Sequence, residues 1–324
     1  MTRICRLPLP GALLALGLTA QAEPTAISFD TTPSAGQHQR QLIDLQAVMR
    51  MRVEAGPDAT DEQRAKIAKA AERMGQMGSM KMAMQMEQTL EVGAADASGW
   101  LPLTVTVADK GGNVEMGGKT MPQPRPRAGN MSFSARFNPR DFDFEMQKLE
   151  GGSPELNAAV KQQATTMIGE TLQLHKALSQ RPLKVGESVE VPFSMPVPMP
   201  SGAGQMQSAL RYTLVRVTQG VAHFDLSMDL KMDLNAPLPQ PAASAGGTDA
   251  AGTPPRMLQM VATGRGKGTS SLRLADRLPL ASRLAMNMEM TMNAPDNGLM
   301  RIAMDMVMQS KGESLAGPAA RNKP

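Results

Sequence analysis

From Leu280 to Met292 apolar and polar positions alternate: Leu280, Leu284, Met286, Met288, Met290 and Met292 share one parity, broken only by Ser282, and Arg283, Asn287 and Glu289 fall on the other. After Pro295-Asp296-Asn297-Gly298, a turn signal, the same face resumes as Met300, Ile302, Met304, Met306 and Met308. A third run, Met80, Met82, Met84 and Met86, alternates with Lys81, Ala83, Gln85 and Glu87. Successive side chains on a strand point to opposite sides of its sheet, so this period of two predicts half-buried strands. Ala222, Phe224, Leu226, Met228, Leu230, Met232 and Leu234 form a fourth such face, and Ile43, Leu45, Ala47, Met49, Met51 and Val53 a fifth.

Helical signals are fewer. Thr60 with Gln63 makes a capping box, Asp61 and Glu62 suit the positive end of a helix, and Gly75 suits its stop. Ile67, Ala68, Ala71 and Met74 then share a face. A longer helix is predicted over Pro154–Ser179, capped by Ser153, with Leu156, Val160, Ala164, Met167, Ile168, Leu172 and Leu178 at helical spacing.

Between these elements, Ala26–Asp30 reads as a short edge strand and Lys110-Gly111-Gly112-Asn113 as a tight turn. Residues Gly117–Asn130, Met195–Gln205 and Asn235–Pro255 are rich in Pro, Gly or Ala and read as loops, and the tail from Lys311 as disordered. Gln219-Gly220 turns one hairpin and Asp276-Arg277-Leu278-Pro279 leads into the last. The pattern predicts a mainly β protein, a large curved antiparallel sheet or open barrel with one or two covering helices. Its organisation is a leader over 1–22, a β-rich half with one helix over 23–150, a helix and second β-rich half over 151–310, and a tail over 311–324.

The leader reading rests on Arg3 and Arg6, a short apolar core from Gly11 to Leu18, and Ala20-Gln21-Ala22 as a cleavage site, with the cut after Ala22. It predicts an exported, periplasmic protein. The apolar core is too short to span a bilayer, and no later stretch reaches the roughly 20 apolar residues that a spanning helix needs. Cys5, the single cysteine, leaves with the leader, so no disulfide staples the rest. Removing Arg3 and Arg6 lowers the formal charge from +4 to about +2. With one Trp and one Tyr this argues against a nucleic-acid partner, because single-strand binders stack bases on aromatic rings.

Composition changes the picture most through methionine: 29 Met against 7 Phe. Unbranched thioether side chains fill strand positions that usually hold Val, Ile or aromatics, and they make a soft, adaptable apolar face.

Catalytic patterns are poor. Gly264-Arg265-Gly266-Lys267-Gly268 lacks the strand-then-helix context of a phosphate loop and reads as a bulge or bend between two strands. Gly312-Glu313-Ser314-Leu315-Ala316 falls short of a nucleophile elbow. His38, His175 and His223 are isolated. No enzyme, cofactor or committed metal site is expected.

Four uses of the methionines remain: inert core filler, an oxidant sink, soft-metal ligands, and a yielding face that re-packs around apolar ligands. The last reading names Met80, Met82, Met84, Met86, Met228, Met232, Met286, Met288, Met290, Met292, Met304, Met306 and Met308 as ligand-lining. The metal reading names Met74, Met77, Met80, Met82, Met84 and Met86 as a tract for Cu(I) or Ag(I), since thioethers suit soft cations. An envelope scaffold without ligand is a further alternative, and the oligomeric state is open.

A leader, long antiparallel strands with one apolar face, and a helix to plug it together resemble periplasmic lipoprotein-carrier half-barrels. Leu183-Lys184-Val185-Gly186-Glu187-Ser188-Val189 followed by a β-rich half also resembles uncharacterised exported bacterial β-proteins. The resemblance is one of layout, and it implies a lipid or lipoprotein partner.

Overall fold

The computed structural model describes residues 26–121, 131–151, 176–199, 202–237, 257–294 and 298–316. The leader, most of the helix expected over 154–179, and the stretch 238–256 lie outside them.

The first described segment makes one isolated bridge, Ile27 to Leu183, outside the strands of the sheet, in place of the expected edge strand. Strand β1 (His38–Ala55) follows. Helix α1 (Asp61–Met77) has the expected capping box: Thr60 Oγ1 accepts from the Gln63 N–H while the Gln63 side chain accepts from the Thr60 N–H. It runs past the predicted stop at Gly75 and caps at Gly78, whose φ of 66° suits glycine. Ile67 is buried and Ala71 and Met74 are half-buried, whereas Ala68 is exposed. The helix packs on β1.

Then come β2 (Ser79–Val92), β3 (Leu101–Met116), the short β4 (Lys119–Met121), β5 (Met131–Asn138) and β6 (Asp143–Glu150). The second half supplies β7 (Ser188–Met199), β8 (Gly202–Thr218), β9 (Val221–Pro237), β10 (Met257–Arg273), β11 (Leu278–Ala294) and β12 (Gly298–Ser314). All are antiparallel in one twelve-stranded sheet of order β6-β5-β3-β2-β1-β12-β11-β10-β9-β8-β7, with β4 beside β3. The sheet does not close into a barrel. Strand β1, between β2 and β12, joins the two halves.

Several expected breaks are strand instead. Lys110-Gly111-Gly112-Asn113 is no turn: β3 runs through it, and an extra residue shifts the register opposite Gln85/Met86. Such a bulge uses turn-like residues inside a strand, and Gly111 sits at φ 109°. Strands β7 and β8 extend into the expected loop Met195–Gln205, β9 runs on to Pro237, and β12 continues to Ser314 past the expected tail start at Lys311. The expected turn at Gln219-Gly220 forms, with both residues at positive φ, as β-hairpin geometry favours.

Gly264–Gly268 is likewise not a junction between strands. It lies inside β10 with unbroken register to β9 and β11, and the shift on the β11 side comes only at Ser271/Leu272. A Cβ on Gly268 would sit inside the Arg283 carbonyl oxygen, so β11 rides over this face of β10. A Cβ on Gly312 would meet the Pro279 carbonyl in the same way. Both glycines have the parity of the methionines, so the sheet bends toward the methionine side here.

The core lies on that same side. Phe29, Leu178, Leu183, Val189, Leu214, Phe224 and Leu226 form one buried cluster, in which the opening segment and the turn around Leu178 cover β7–β9. Residues 176–180 are helical, so the end of the expected plug helix does pack on the apolar face. Val92, Leu101, Leu103, Ala135 and Phe137 bury the other flank. Met232, Leu234, Met260 and Ala262 form a third cluster, against which Met290 and Met292 pack.

Candidate functional site: a methionine face shared by seven strands

The pairing register turns separate ladders into transverse rows. One row runs Met116, Met80, Met49, Met304, Met288, Gly264, Leu230 across β3, β2, β1, β12, β11, β10 and β9. The next runs Val114, Met82, Ala47, Met306, Met286, Gly266, Met228. A third places Met84 beside Leu45, Met308 and Leu284, and a fourth places Met51 beside Ile302 and Met290. All thirteen expected lining positions lie on this one face. Met49, Met51, Met116, Met260 and Met300 belong to it as well. Their alternation was readable in the chain, but their neighbours across the sheet were not.

The face is unevenly covered. Met232, Met260 and Met286 are buried. Met80, Met82, Met84, Met86, Met228, Met288, Met290, Met292, Met304 and Met306 are half-buried, and Met308 is 36% exposed. The open part is therefore the middle of the sheet, over β2, β1, β12 and β11, between two flanks closed by aromatic and branched side chains. Its floor is uneven because Ala47 and the glycines of β10 and β3 carry little or no side chain. Toward the Pro279 end the face turns polar at Ser270, Ser282 and Ser310, with Ser282 and Ser310 hydroxyls 3.0 Å apart.

The expected metal tract Met74–Met86 is divided between two elements. Met74 stands on α1, which continues through Met77, whereas Met80–Met86 are on β2. The side chain of Met77 lies outside the described residues. Among the described residues no group of three or more His, Cys, Asp and Glu gathers as a metal site.

The opposite side of the sheet is charged. Asp305 accepts from Arg50 at 2.7 Å and from Asn287 at 2.5 Å, and these two bonds hold its carboxyl below the usual range. Lys81 pairs with Glu115 at 3.2 Å and Arg301 with Glu54 at 3.2 Å. Such exposed pairs set orientation more than stability. At one corner Arg273 donates to Asp276 at 2.8 and 2.5 Å, and Ser314 adds a bond of 2.7 Å; the Arg273 bond first and Ser314 after it hold Asp276 down to about 2. Arg277 donates to Asp30, to the Thr32 carbonyl at 2.8 Å and to Ser34 Oγ at 2.6 Å, tying the opening segment to the β10–β11 turn. A cleft of about 440 Å³ on this polar side is lined by Asp44, His223, Asp225, Arg283 and Lys311 among others.

No protein-family model matches the chain, and no curated protein does. Among solved structures it is similar at 8% identity to the secretin InvG of the Salmonella SPI-1 type III secretion injectisome in the open gate state, over 88% of this chain and 63% of that one, with a TM-score of 0.17. It is similar at 10% identity to the InvG secretin domain β-barrel of the Salmonella SPI-1 injectisome NC-base, over 88% of this chain and 65% of that one, with a TM-score of 0.14. The chain thus spans less than two thirds of either secretin chain. The likeness is a weak structural one to a β-rich domain. No helix among the described residues is long and apolar enough to cross a membrane.

Proposed function

We propose that this is a non-enzymatic exported protein that holds an apolar ligand, the acyl chain of a lipid or lipoprotein, against the methionine face. The observation that carries the reading is the half-exposed centre of that face. An apolar surface spanning several strands is left partly open in the middle while its flanks are packed. Contiguous exposed apolar surface of this kind marks a binding site more often than an idle one. Methionine suits it because an unbranched thioether re-packs around ligands of different shape. The bend toward this face at Gly268 and Gly312 gives an acyl chain a curved bed. The resemblance in layout to lipoprotein-carrier half-barrels is in keeping with this reading.

Burial of each methylene contributes about 0.8 kcal/mol, so each added CH₂ in a fatty acyl probe tightens binding about fourfold while the face has room. The test is titration of the full chain with saturated fatty acids of increasing length, together with mass spectrometry of an organic extract of protein purified from its native envelope. Expected are a co-purifying lipid, the chain-length series, and at least tenfold weaker binding in Met82→Lys/Met306→Lys. An empty extract with no probe binding at any chain length would overturn the proposal.

A further inference from the structure

The cross-strand register brings thioethers together in a way that one strand cannot. We propose that Met80, Met49 and Met304, directly opposite one another on β2, β1 and β12, bind one soft monovalent cation, Cu(I). Same-face neighbours along a strand are separated by about 6.6 Å at Cα, whereas directly paired residues lie about 4.5–5.5 Å apart. Three flexible side chains in a transverse row therefore reach a common point more readily than three in the run Met80, Met82, Met84. The adjacent row sharpens the geometry. Ala47 lies between Met82 and Met306, and it is only 7% exposed although the methionines on either side are half-exposed. A single methyl there takes up less space than the side chains of Met82 and Met306, with which Ala47 is paired.

The chemistry of the three side chains selects the ion. Thioether sulfur is a soft, uncharged ligand that favours Cu(I) over hard divalent cations. The charged partners of these strands, Arg50, Lys81 and Asp305, fall on the other parity and face away. Leu or Ile would give the same burial with equal or better strand propensity, so burial alone does not select sulfur at Met49, Met80 and Met304 together. Thioethers carry no proton to lose, so unlike a Cys or His site this one binds equally well at acid pH.

The test is anaerobic titration of the full chain with Cu(I) against a colorimetric Cu(I) chelator, and with Ag(I) as a redox-inert probe. Expected are one tight equivalent per chain, an all-sulfur shell by X-ray absorption, and unchanged affinity between pH 5 and 7.5. Met49→Leu/Met80→Leu/Met304→Leu should weaken binding at least 100-fold, and the control Met292→Leu/Met300→Leu should leave it unchanged. Fatty-acyl binding is measured on the unaltered chain without metal and Cu(I) binding without fatty acid, so the two proposals fail independently. Absence of Cu(I) binding, unaltered binding in a folded triple variant, or a steep loss on acidification would each overturn this one.

Discussion

Tyr212 is the chain's only tyrosine, and it reports on the packed flank of the apolar face. Its ring meets Phe224 edge-on at 5.9 Å between centroids, and Phe224 in turn meets Phe29 at 5.3 Å. Burial pushes its phenol up to about 12 from an ordinary 10, because an ionised ring there would lose its water. The folded state therefore holds a proton that the unfolded chain gives up near pH 10. Stability from this group is intact below pH 10 and is lost as pH rises from about 10 to about 12. With a single phenol to follow, absorbance near 295 nm should give one native titration at about 12 and one in denaturant at about 10. Tyr212→Phe should remove that part of the alkaline decline in stability. A native midpoint near 10 would mean that the ring is solvated and that this flank is open.

Strand β10 shows what an element demands beyond its propensity. On its methionine side it offers Gly264, Gly266 and Gly268, residues that weaken an ordinary strand. Their spacing is required by the neighbours. A Cβ on Gly266 would meet Leu284 Cδ1 and Met228 Cβ at 3.3 Å, side-chain atoms of which the first can give, whereas on Gly268 it would run into β11 backbone. Gly268→Ala should therefore destabilise the fold by about 1–3 kcal/mol, the scale of overpacking, and Gly266→Ala by clearly less, read as shifts in chemical-denaturation midpoint. Equal effects would refute the bend. The same strand explains what could be read in the chain. Alternation revealed strands wherever one face was apolar, which located the thirteen lining methionines and the Ala222–Leu234 ladder. It failed where glycine replaced the apolar residue, as at Gly264–Gly268, and where the Lys110 bulge swapped parity within β3, so that Val105 and Val107 share a face with Val114 and Met116. Glycine was read as punctuation when it was serving close approach. Pairing was beyond reach for a different reason. Whether β1 lies beside β12 depends on contacts across the whole chain, so the row Met80, Met49, Met304 had no local signature.

At the scale of the whole molecule, an open sheet of twelve strands must protect two edges, since unpaired N–H and C=O groups recruit other strands. Strand β6 meets this with brevity and charge: Asp143, Glu145, Lys148 and Glu150 punctuate its 8 residues. Strand β7 is longer, at 12 residues, and carries Pro192, Pro196 and Pro198. These share one parity, so their missing N–H groups all fall on one side of the strand. Pairing with β8 is unbroken from Ser188 to Met199, and a ladder tolerates no such run of missing donors. Their backbone nitrogens therefore lie on the unpaired edge, where they deny an incoming strand its hydrogen bonds. On this account the sheet stays open because neither edge can accept the other or a second copy, and the methionine face remains accessible. Replacing all three with threonine restores the donors without adding apolar surface. Pro192→Thr/Pro196→Thr/Pro198→Thr should self-associate at about 10–100 μM, within the range where unpaired edges aggregate, while the unaltered chain keeps its state over the same range by light scattering. Single replacements should associate less, because the two remaining prolines still interrupt an incoming ladder. A triple variant whose mass does not change up to about 100 μM would show that something other than the prolines guards this edge.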